Sequence, residues 1–168
     1  MELITSLTNA KVKMALSLQQ KKYRDKYQLF ILEGIRNAEM VIAKNISVQM
    51  CFFTQKAFTN KRGKSILEQL KCPCFEVPEH IYQKISDTQS PQGLMLILPI
   101  QNYNLDDLAT INKSGLYLIL DRLQDPGNIG TIIRTADAMG VKAIICLNGT
   151  ADIYSPKVVR SAMGSLFN

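Results

Sequence analysis

Short apolar runs alternate with amphipathic segments along residues 1–99. In the amphipathic segments apolar residues recur every three or four positions, as in a helix packed on one face, and a run of four to seven apolar residues favours a buried strand. Thr8 or Asn9 is the predicted cap of the first helix. The alternation predicts one layered α/β domain. Its predicted helices are 9–24, 35–43, 63–70 and 78–85, and its predicted strands are 28–32, 48–54, 74–77 and 93–98.

A second unit follows a polar stretch. Residues 100–115 lack strong periodicity and are predicted to be a linker, so the domains are predicted as 1–99 and 116–168. In the second, Ser155 and Pro156 are the predicted cap and first position of the last helix. Two strands and two helices cannot cover both faces of a parallel sheet, so we expect this domain to be cut short. Its predicted elements are strands 116–120 and 142–147 and helices 129–139 and 155–163.

Composition narrows the class of protein. The chain has 168 residues, of which 46% are hydrophobic, which is too many for a disordered chain. No apolar run reaches the length of a membrane span, and the N-terminus lacks the pattern of a secretory signal. We therefore expect a soluble cytoplasmic protein with no membrane partner.

The cysteines do not have the spacing of a metal site. Cys72 and Cys74 are close in sequence, but Cys51 and Cys146 are isolated and His80 is the single histidine. Structural zinc sites need four ligands, usually supplied by paired motifs. We expect no metal and four reduced thiols.

The positive charge is concentrated in the first domain. Residues 1–99 hold 14 basic and 8 acidic residues, whereas 100–168 hold 6 of each, so the whole net charge of +6 lies before the linker. One basic cluster spans 11–26 and includes Lys21, Lys22 and Arg24, and a second spans 56–64. Clustering of this kind is typical of proteins that bind a phosphate backbone. The alternative is a solvated helix face without a partner.

The segment 120–134 carries the candidate chemistry. A predicted buried strand runs into a loop with Asp121 and Asp125, and then into an apolar helix that contains Asn128 and Arg134. Ligands of α/β sheets bind where strands end, and this loop has neither a dinucleotide fingerprint nor a nucleotide P-loop. The guanidinium of Arg134 is predicted to face an anion. Alternatively, Asn128 caps the helix and Arg134 pairs with Asp137 or Asp121 on the surface.

The sequence DPGNIGTIIRTADAMG at 125–140 resembles the first motif of the SpoU/TrmH-type RNA ribose 2′-O-methyltransferases, a branch of the knotted SPOUT enzymes. The segment SPKVVRSAMG at 155–164 is similar to the next helix of that family. Before the linker, KKYR at 21–24, FILEG at 30–34 and SPQG at 90–93 resemble the RNA-binding domain of its ribosomal-RNA members. The resemblance thus covers nearly the whole chain.

That resemblance implies a fold and an activity. The fold would be a small α/β RNA-binding domain like certain ribosomal proteins, followed by the first half of a knotted parallel α/β methyltransferase domain. The activity would be methylation of a ribose 2′-hydroxyl in ribosomal RNA by S-adenosylmethionine, in a protein that is a homodimer when full length. A non-catalytic RNA-binding module is the alternative, and a flavodoxin-like regulatory domain is disfavoured.

The resemblance also implies site residues. Asn128 and Arg134 would be catalytic, and Arg160, with Lys21, Lys22 and Arg24, would bind RNA. Because arginine stays protonated, we expect Arg134 to clamp a phosphate and stabilise an oxyanion rather than act as a base. The cofactor motifs of the family, Glu-Gly and Ser-Leu-Asn, do not occur after 140, so cofactor-binding residues are expected after Asn168 and the fragment is expected to be inactive.

Overall fold

A computed structural model describes residues 1–103, here the N-terminal part, and 114–168, the C-terminal part. The N-terminal part is built on a mixed five-stranded sheet in the order β1-β4-β3-β5-β2. Strand β1 pairs parallel to β4 and β4 parallel to β3, whereas β5 is antiparallel to both β3 and β2. The elements are β1 (Glu2–Leu3), α1 (Ala10–Ser17), α2 (Lys21–Tyr27), β2 (Leu29–Glu33), α3 (Ile35–Ala43), β3 (Met50–Phe53), α4 (Gln55–Thr59), α5 (Lys61–Gln69), β4 (Cys74–Glu76), α6 (Glu79–Ile85) and β5 (Leu94–Pro99).

Each face of this sheet carries its own apolar core, which is why its strands are apolar on both sides. One face holds Phe30, Leu32, Leu96 and Leu98 under α3 and α5. On the other face, Phe52, Met95 and Ile97 pack under α1 and α6. The predicted α/β layering is confirmed, with most elements within two residues of their predicted bounds.

The predicted helix 9–24 is two helices. Asn9 caps α1, as predicted, but the backbone becomes extended at Gln20 before α2 begins. The carbonyl oxygen of Leu18, freed at this break, accepts a 2.7 Å hydrogen bond from the guanidinium of Arg24. The periodicity continues across the break, which is stabilised by side-chain contacts that the sequence pattern does not show. They are the bond from Arg24 and a 3.1 Å bond from Nε2 of Gln19 to the carbonyl oxygen of Ile85. The short elements β1 and α4 were not predicted.

The C-terminal part has a two-stranded parallel sheet covered by two helices. Its elements match the predicted order, and β6 and β7 pair from Tyr117↔Ala143 to Leu120↔Cys146. The predicted linker 100–115 lies largely outside the described residues. No helix of the described ranges is long and apolar enough to cross a membrane. The elements are β6 (Tyr117–Leu120), α7 (Pro126–Ala138), β7 (Ala143–Cys146), α8 (Pro156–Ala162) and a 3₁₀ turn at Ser165–Phe167.

Helix α8 lies between the two parts and belongs to both cores. Val158 and Ala162 pack with Ile129 and Ile133 of α7, whereas Val159 packs into the core that contains Phe30. Beside it, the ring of Tyr154 lies 4.8 Å from that of Phe30. The N-terminal part therefore fixes the position of α8, and α8 in turn holds α7.

Candidate functional site

Helix α7 begins three residues earlier than predicted, at Pro126. The capping residue is Asp125, whose side-chain oxygen accepts a 2.7 Å hydrogen bond from the backbone N–H of Asn128. The alternative in which Asn128 caps the helix is therefore wrong. The sequence carried a signal for the true start, since proline is favoured at the first helical position directly after an aspartate cap.

Asn128 and Arg134 are both exposed on α7. Asn128 lies in the first turn, next to the loop at the carboxyl end of β6, and in the described ranges its side-chain amide has no hydrogen-bond partner. Arg134 lies six residues further, about one and two-thirds turns along the helix. The helix thus holds the amide beside this loop and the guanidinium further along, next to Met163.

Arg134 has no carboxylate partner within the described residues. Its Nη1 lies 3.1 Å from the sulfur of Met163, which is a weak acceptor. The two carboxylates that could have neutralised it are engaged elsewhere: Asp137 accepts from Asn168, and Asp121 pairs with Arg122 at 2.9 Å. The predicted surface ion pair with Asp137 or Asp121 is therefore not formed, and this guanidinium is available to an anion.

Gly130 allows α7 and α8 to approach each other closely. A Cβ at this position would lie 1.8 Å from Oγ of Ser161, 2.7 Å from its Cβ and 2.9 Å from the backbone nitrogen of Ala162. Real carbon atoms do not come that close, so any side chain here would push the two helices apart. Gly130 thus sets how closely α7 packs against α8, and with it the positions of Asn128 and Arg134.

The structure corrects the expectation for Arg24. Its residue is 3% exposed, and its guanidinium donates two hydrogen bonds, of 2.8 and 2.6 Å, to Oδ2 of Asp152 in the C-terminal part. A third bond reaches the carbonyl oxygen of Leu18. A buried arginine whose donors are occupied in this way is not free to bind a phosphate. Arg24 instead joins the two parts, and no feature of the sequence pattern indicates Asp152 as its partner.

The other predicted RNA contacts are exposed. Lys21 and Lys22 lie on α2, and Lys21 forms an ion pair with Asp25 at 2.7 Å. Arg160, on α8, pairs with Asp87 at 2.8 Å. Exposed pairs of this kind contribute little stability and can exchange for a phosphate. The structure thus brings Arg160 to the junction of the two parts, where it contacts Asp87.

A polar cluster that sequence reasoning missed lies beside Arg160. The carboxylate of Glu33 accepts hydrogen bonds from the hydroxyls of Ser86, at 2.8 and 2.9 Å, and Thr88, at 3.2 Å. Burial raises the pKa of Glu33 above its ordinary value, although those hydroxyl bonds and the charge of Arg160 oppose the rise. The segments FILEG and SPQG pointed to this region, but nothing in them indicated the partners.

The thiols of the four cysteines are free. Cys51 is buried and faces Cys74 across β3 and β4, while Cys146 is exposed. Within the described ranges, no group of three or more histidine, cysteine or acidic side chains is arranged to hold a metal ion.

Comparison with known proteins identifies the family to which this chain belongs. Residues 9–96 match the family described as the MRM3-like substrate binding domain, and residues 115–168 match the SpoU rRNA Methylase family. The chain belongs to the SpoU rRNA methylase family, in the branch with an MRM3-like substrate-binding domain. This confirms the resemblance drawn from the motifs.

Individual relatives agree with that assignment. The chain is 34% identical over 168 residues to the 23S rRNA (guanosine(2553)-2'-O)-methyltransferase RlmP of Bacillus subtilis, which covers 100% of this chain and 63% of that protein. An AdoMet-bound rRNA methyltransferase from Sinorhizobium meliloti superposes with a TM-score of 0.86 at 32% identity, over 99% of this chain and 62% of the other.

A third relative is the SpoU methyltransferase AviRb from Streptomyces viridochromogenes, solved in complex with AdoMet. It superposes with a TM-score of 0.87 at 25% identity, over 95% of this chain and 61% of the other. The chain thus spans about three fifths of the length of these relatives. The expected SPOUT fold class is confirmed.

Proposed function

We propose that this chain is part of an enzyme that transfers the methyl group of S-adenosylmethionine to a ribose 2′-hydroxyl of ribosomal RNA. The observation that carries the proposal is Arg134, an exposed guanidinium without a carboxylate partner in the described ranges, held on the helix that follows the loop after β6. Family membership and the names of the relatives support the reaction and the substrate.

The proposed chemistry needs charge stabilisation. A ribose hydroxyl becomes a good nucleophile only as it loses its proton, so negative charge develops on its oxygen in the transition state. A guanidinium carries several N–H donors in a rigid plane and can hold a phosphate and an oxyanion together. We assign this role to Arg134. Asn128, whose amide lies free at the helix entry, would orient the ribose.

The methyl donor is proposed from the relatives that were solved with it. When bound, it supplies an electrophilic methyl group. In this chain the residues that follow β6 and β7, among them Asp121, Arg122, Leu147 and Asn148, are exposed and do not by themselves enclose a ligand. We therefore assign no described residue to its binding.

The proposal also assigns a role to each segment of the chain. Residues 1–99 would bind the RNA substrate, residues 100–115 would link, and residues 116–168 would carry the methyl-transfer motif. Lys21, Lys22 and Arg160 are proposed phosphate contacts, and Arg24 is not. The protein that contains this chain would act in the cytoplasm as a homodimer.

The test is Arg134→Lys in the intact gene product. An ammonium group keeps the charge but cannot form a planar two-point contact, so we expect kcat to fall by about 10² with little change in KM for RNA. The measurement is the single-turnover methylation rate at saturating cofactor.

Thr135→Ala, at the exposed neighbouring position, is the control for damage to the helix. Equal rates for wild type and Arg134→Lys would contradict the proposed role of Arg134. Absence of methylation in wild type, with RNA binding retained, would favour the non-catalytic RNA-binding module.

A further inference from the structure

An open cleft lies where the N-terminal part meets the end of α8. Its volume is about 440 Å³, within the range of sites that bind small ligands. Helix α3 forms one wall, the start of α5 another, and the residue after α8 the third. The side chains that matter here are Arg36, Asn37, Met40, Ala43, Arg62 and Met163.

The charged side chains of this cleft favour an anion. Arg62 is exposed, and Glu39 fixes its guanidinium plane through two hydrogen bonds of 2.7 and 2.5 Å. Arg36 is also exposed, and in the described ranges its guanidinium has no hydrogen bond or ion pair. Two guanidinium groups against one carboxylate leave the cleft positively charged.

Asn37 adds a hydrogen-bonding group of fixed orientation. Its side-chain N–H donates a 2.9 Å hydrogen bond to the carbonyl oxygen of Glu33. The amide is therefore anchored by its nitrogen, and its oxygen is left as an acceptor. Met40, Ala43 and Met163 supply apolar surface nearby.

The cleft shares a wall with the proposed reaction site. Met163 lines it, and the sulfur of the same residue contacts Arg134 at 3.1 Å. The next residue, Gly164, has φ +90° and sits so close to Met40 that a Cβ there would lie 2.3 Å from the Met40 sulfur. Met163 is thus held between the cleft and Arg134.

We propose that this cleft binds one unpaired RNA nucleotide next to the ribose that Arg134 contacts. Arg36 would hold its phosphate through two N–H groups, since the guanidinium fork matches phosphate geometry. Arg62 would add its Nη1, which Glu39 does not occupy. The base would lie on Met40, Ala43 and Met163, within reach of the Asn37 carbonyl oxygen. Unpaired nucleotides fit such a cleft because their bases can leave the stack and lie on side chains, which the paired bases of an RNA duplex cannot. This inference rests on the proposed function and extends it to the form of the substrate.

The first test compares two charge-matched double variants of the intact protein. Arg36→Gln with Arg62→Gln removes the cleft charges, whereas Lys84→Gln with Lys142→Gln removes two exposed charges that lie outside the cleft and outside both basic clusters. The affinity for an unpaired oligoribonucleotide is measured against salt concentration. We expect the slope of log K against log salt to fall by about 1.4 for the cleft variant, as for two lost contacts to a single strand, and to stay unchanged for the control.

A second variant tests occupancy without changing charge. Ala43→Phe would fill the cleft from the exposed end of α3, where the larger side chain does not enter the core. We expect it to weaken binding of the unpaired oligoribonucleotide at least tenfold. Its affinity for a duplex of the same sequence should stay unchanged.

Each other outcome overturns the inference in a distinguishable way. If wild type binds RNA with salt dependence but the cleft variant has the same slope, the cleft does not bind the RNA phosphate and the proposed function stands. Equal loss in both double variants would mean that only net charge matters, and equal loss of duplex binding in Ala43→Phe would exclude an unpaired nucleotide. If wild type binds RNA without salt dependence, or not at all, the cleft and the proposed function fall together.

Discussion

Replacing Arg24 by methionine tests whether this residue joins the two parts or binds RNA. The side chain of Arg24 is 4% exposed and that of its partner Asp152 is 14% exposed. Arg24→Met keeps the apolar stem but leaves the Asp152 carboxylate and the Leu18 carbonyl oxygen without the donors described above. The variant therefore leaves two hydrogen-bond acceptors at the junction without their donors and does not open a large cavity.

The expected loss of stability follows from these lost hydrogen bonds. Breaking a buried ion pair by removing one partner destabilises proteins by about 3–5 kcal/mol. Because the Asp152 carboxylate keeps some access to water, we expect the low end, about 3 kcal/mol, in the free energy of unfolding. In a double-mutant cycle with Asp152→Asn, the interaction energy should be about 2 kcal/mol.

Urea unfolding of the four proteins of that cycle gives these numbers. Lys21→Met is the control, because Lys21 also pairs with an aspartate but its side chain is 63% exposed, and we expect it to cost under about 0.5 kcal/mol. A cost below about 1 kcal/mol for Arg24→Met would refute the argument. RNA binding gives a second readout: folded Arg24→Met should keep the wild-type salt slope, and a reduced slope would return Arg24 to the phosphate contacts.

Three further predictions concern packing, capping and titration. Gly130→Ala should destabilise by about 2 kcal/mol in thermal or urea unfolding, and adding Ser161→Gly should not restore it, because the backbone of Ala162 remains too close. Ser155→Ala should change stability by less than about 0.5 kcal/mol, since Ser155 makes no capping hydrogen bond. Asp125→Ala, which removes a capping bond, should cost about 1 kcal/mol. Equal effects of the two substitutions would contradict this account of the caps. The pKa of Glu33 is raised in the folded state, so ionisation of this carboxyl opposes folding. The stability of wild type relative to Glu33→Gln should therefore fall as pH rises from about 4 through the raised pKa. A stability difference that does not change with pH would argue against a shifted pKa.

The elements were predictable because each carries its own local signal. Helix α3 begins and ends where the apolar spacing of 35–43 predicts, and β5 is an unbroken apolar run. The start of α7 does not follow from periodicity, because the apolar spacing begins only at Ile129, and the Asp-Pro pair at 125–126 is the local signal that marks it. The periodicity at 9–24 also carries no mark of the break that Arg24 stabilises.

The candidate site was predictable to the level of residues but not of contacts. The motif at 125–140 singled out Asn128 and Arg134, and both are exposed on one helix. It could not show that Arg134 lies on Met163, or that Arg24 is buried against Asp152. Those contacts join residues 29 and 128 positions apart, and a pattern read along the chain contains no such pairings.

The position of helix α8 has a consequence for how such proteins can be recombined. The boundary between the two family matches falls before residue 115, yet Val159 completes the core around Phe30 from the other side of that boundary. A chimera that joins this substrate-binding domain to the methylase domain of a relative would place a foreign residue in that core. Its folding should depend on how well the incoming helix fits Phe30 and Leu32. The unit that can be exchanged intact is therefore larger than the substrate-binding domain and includes the inner face of α8.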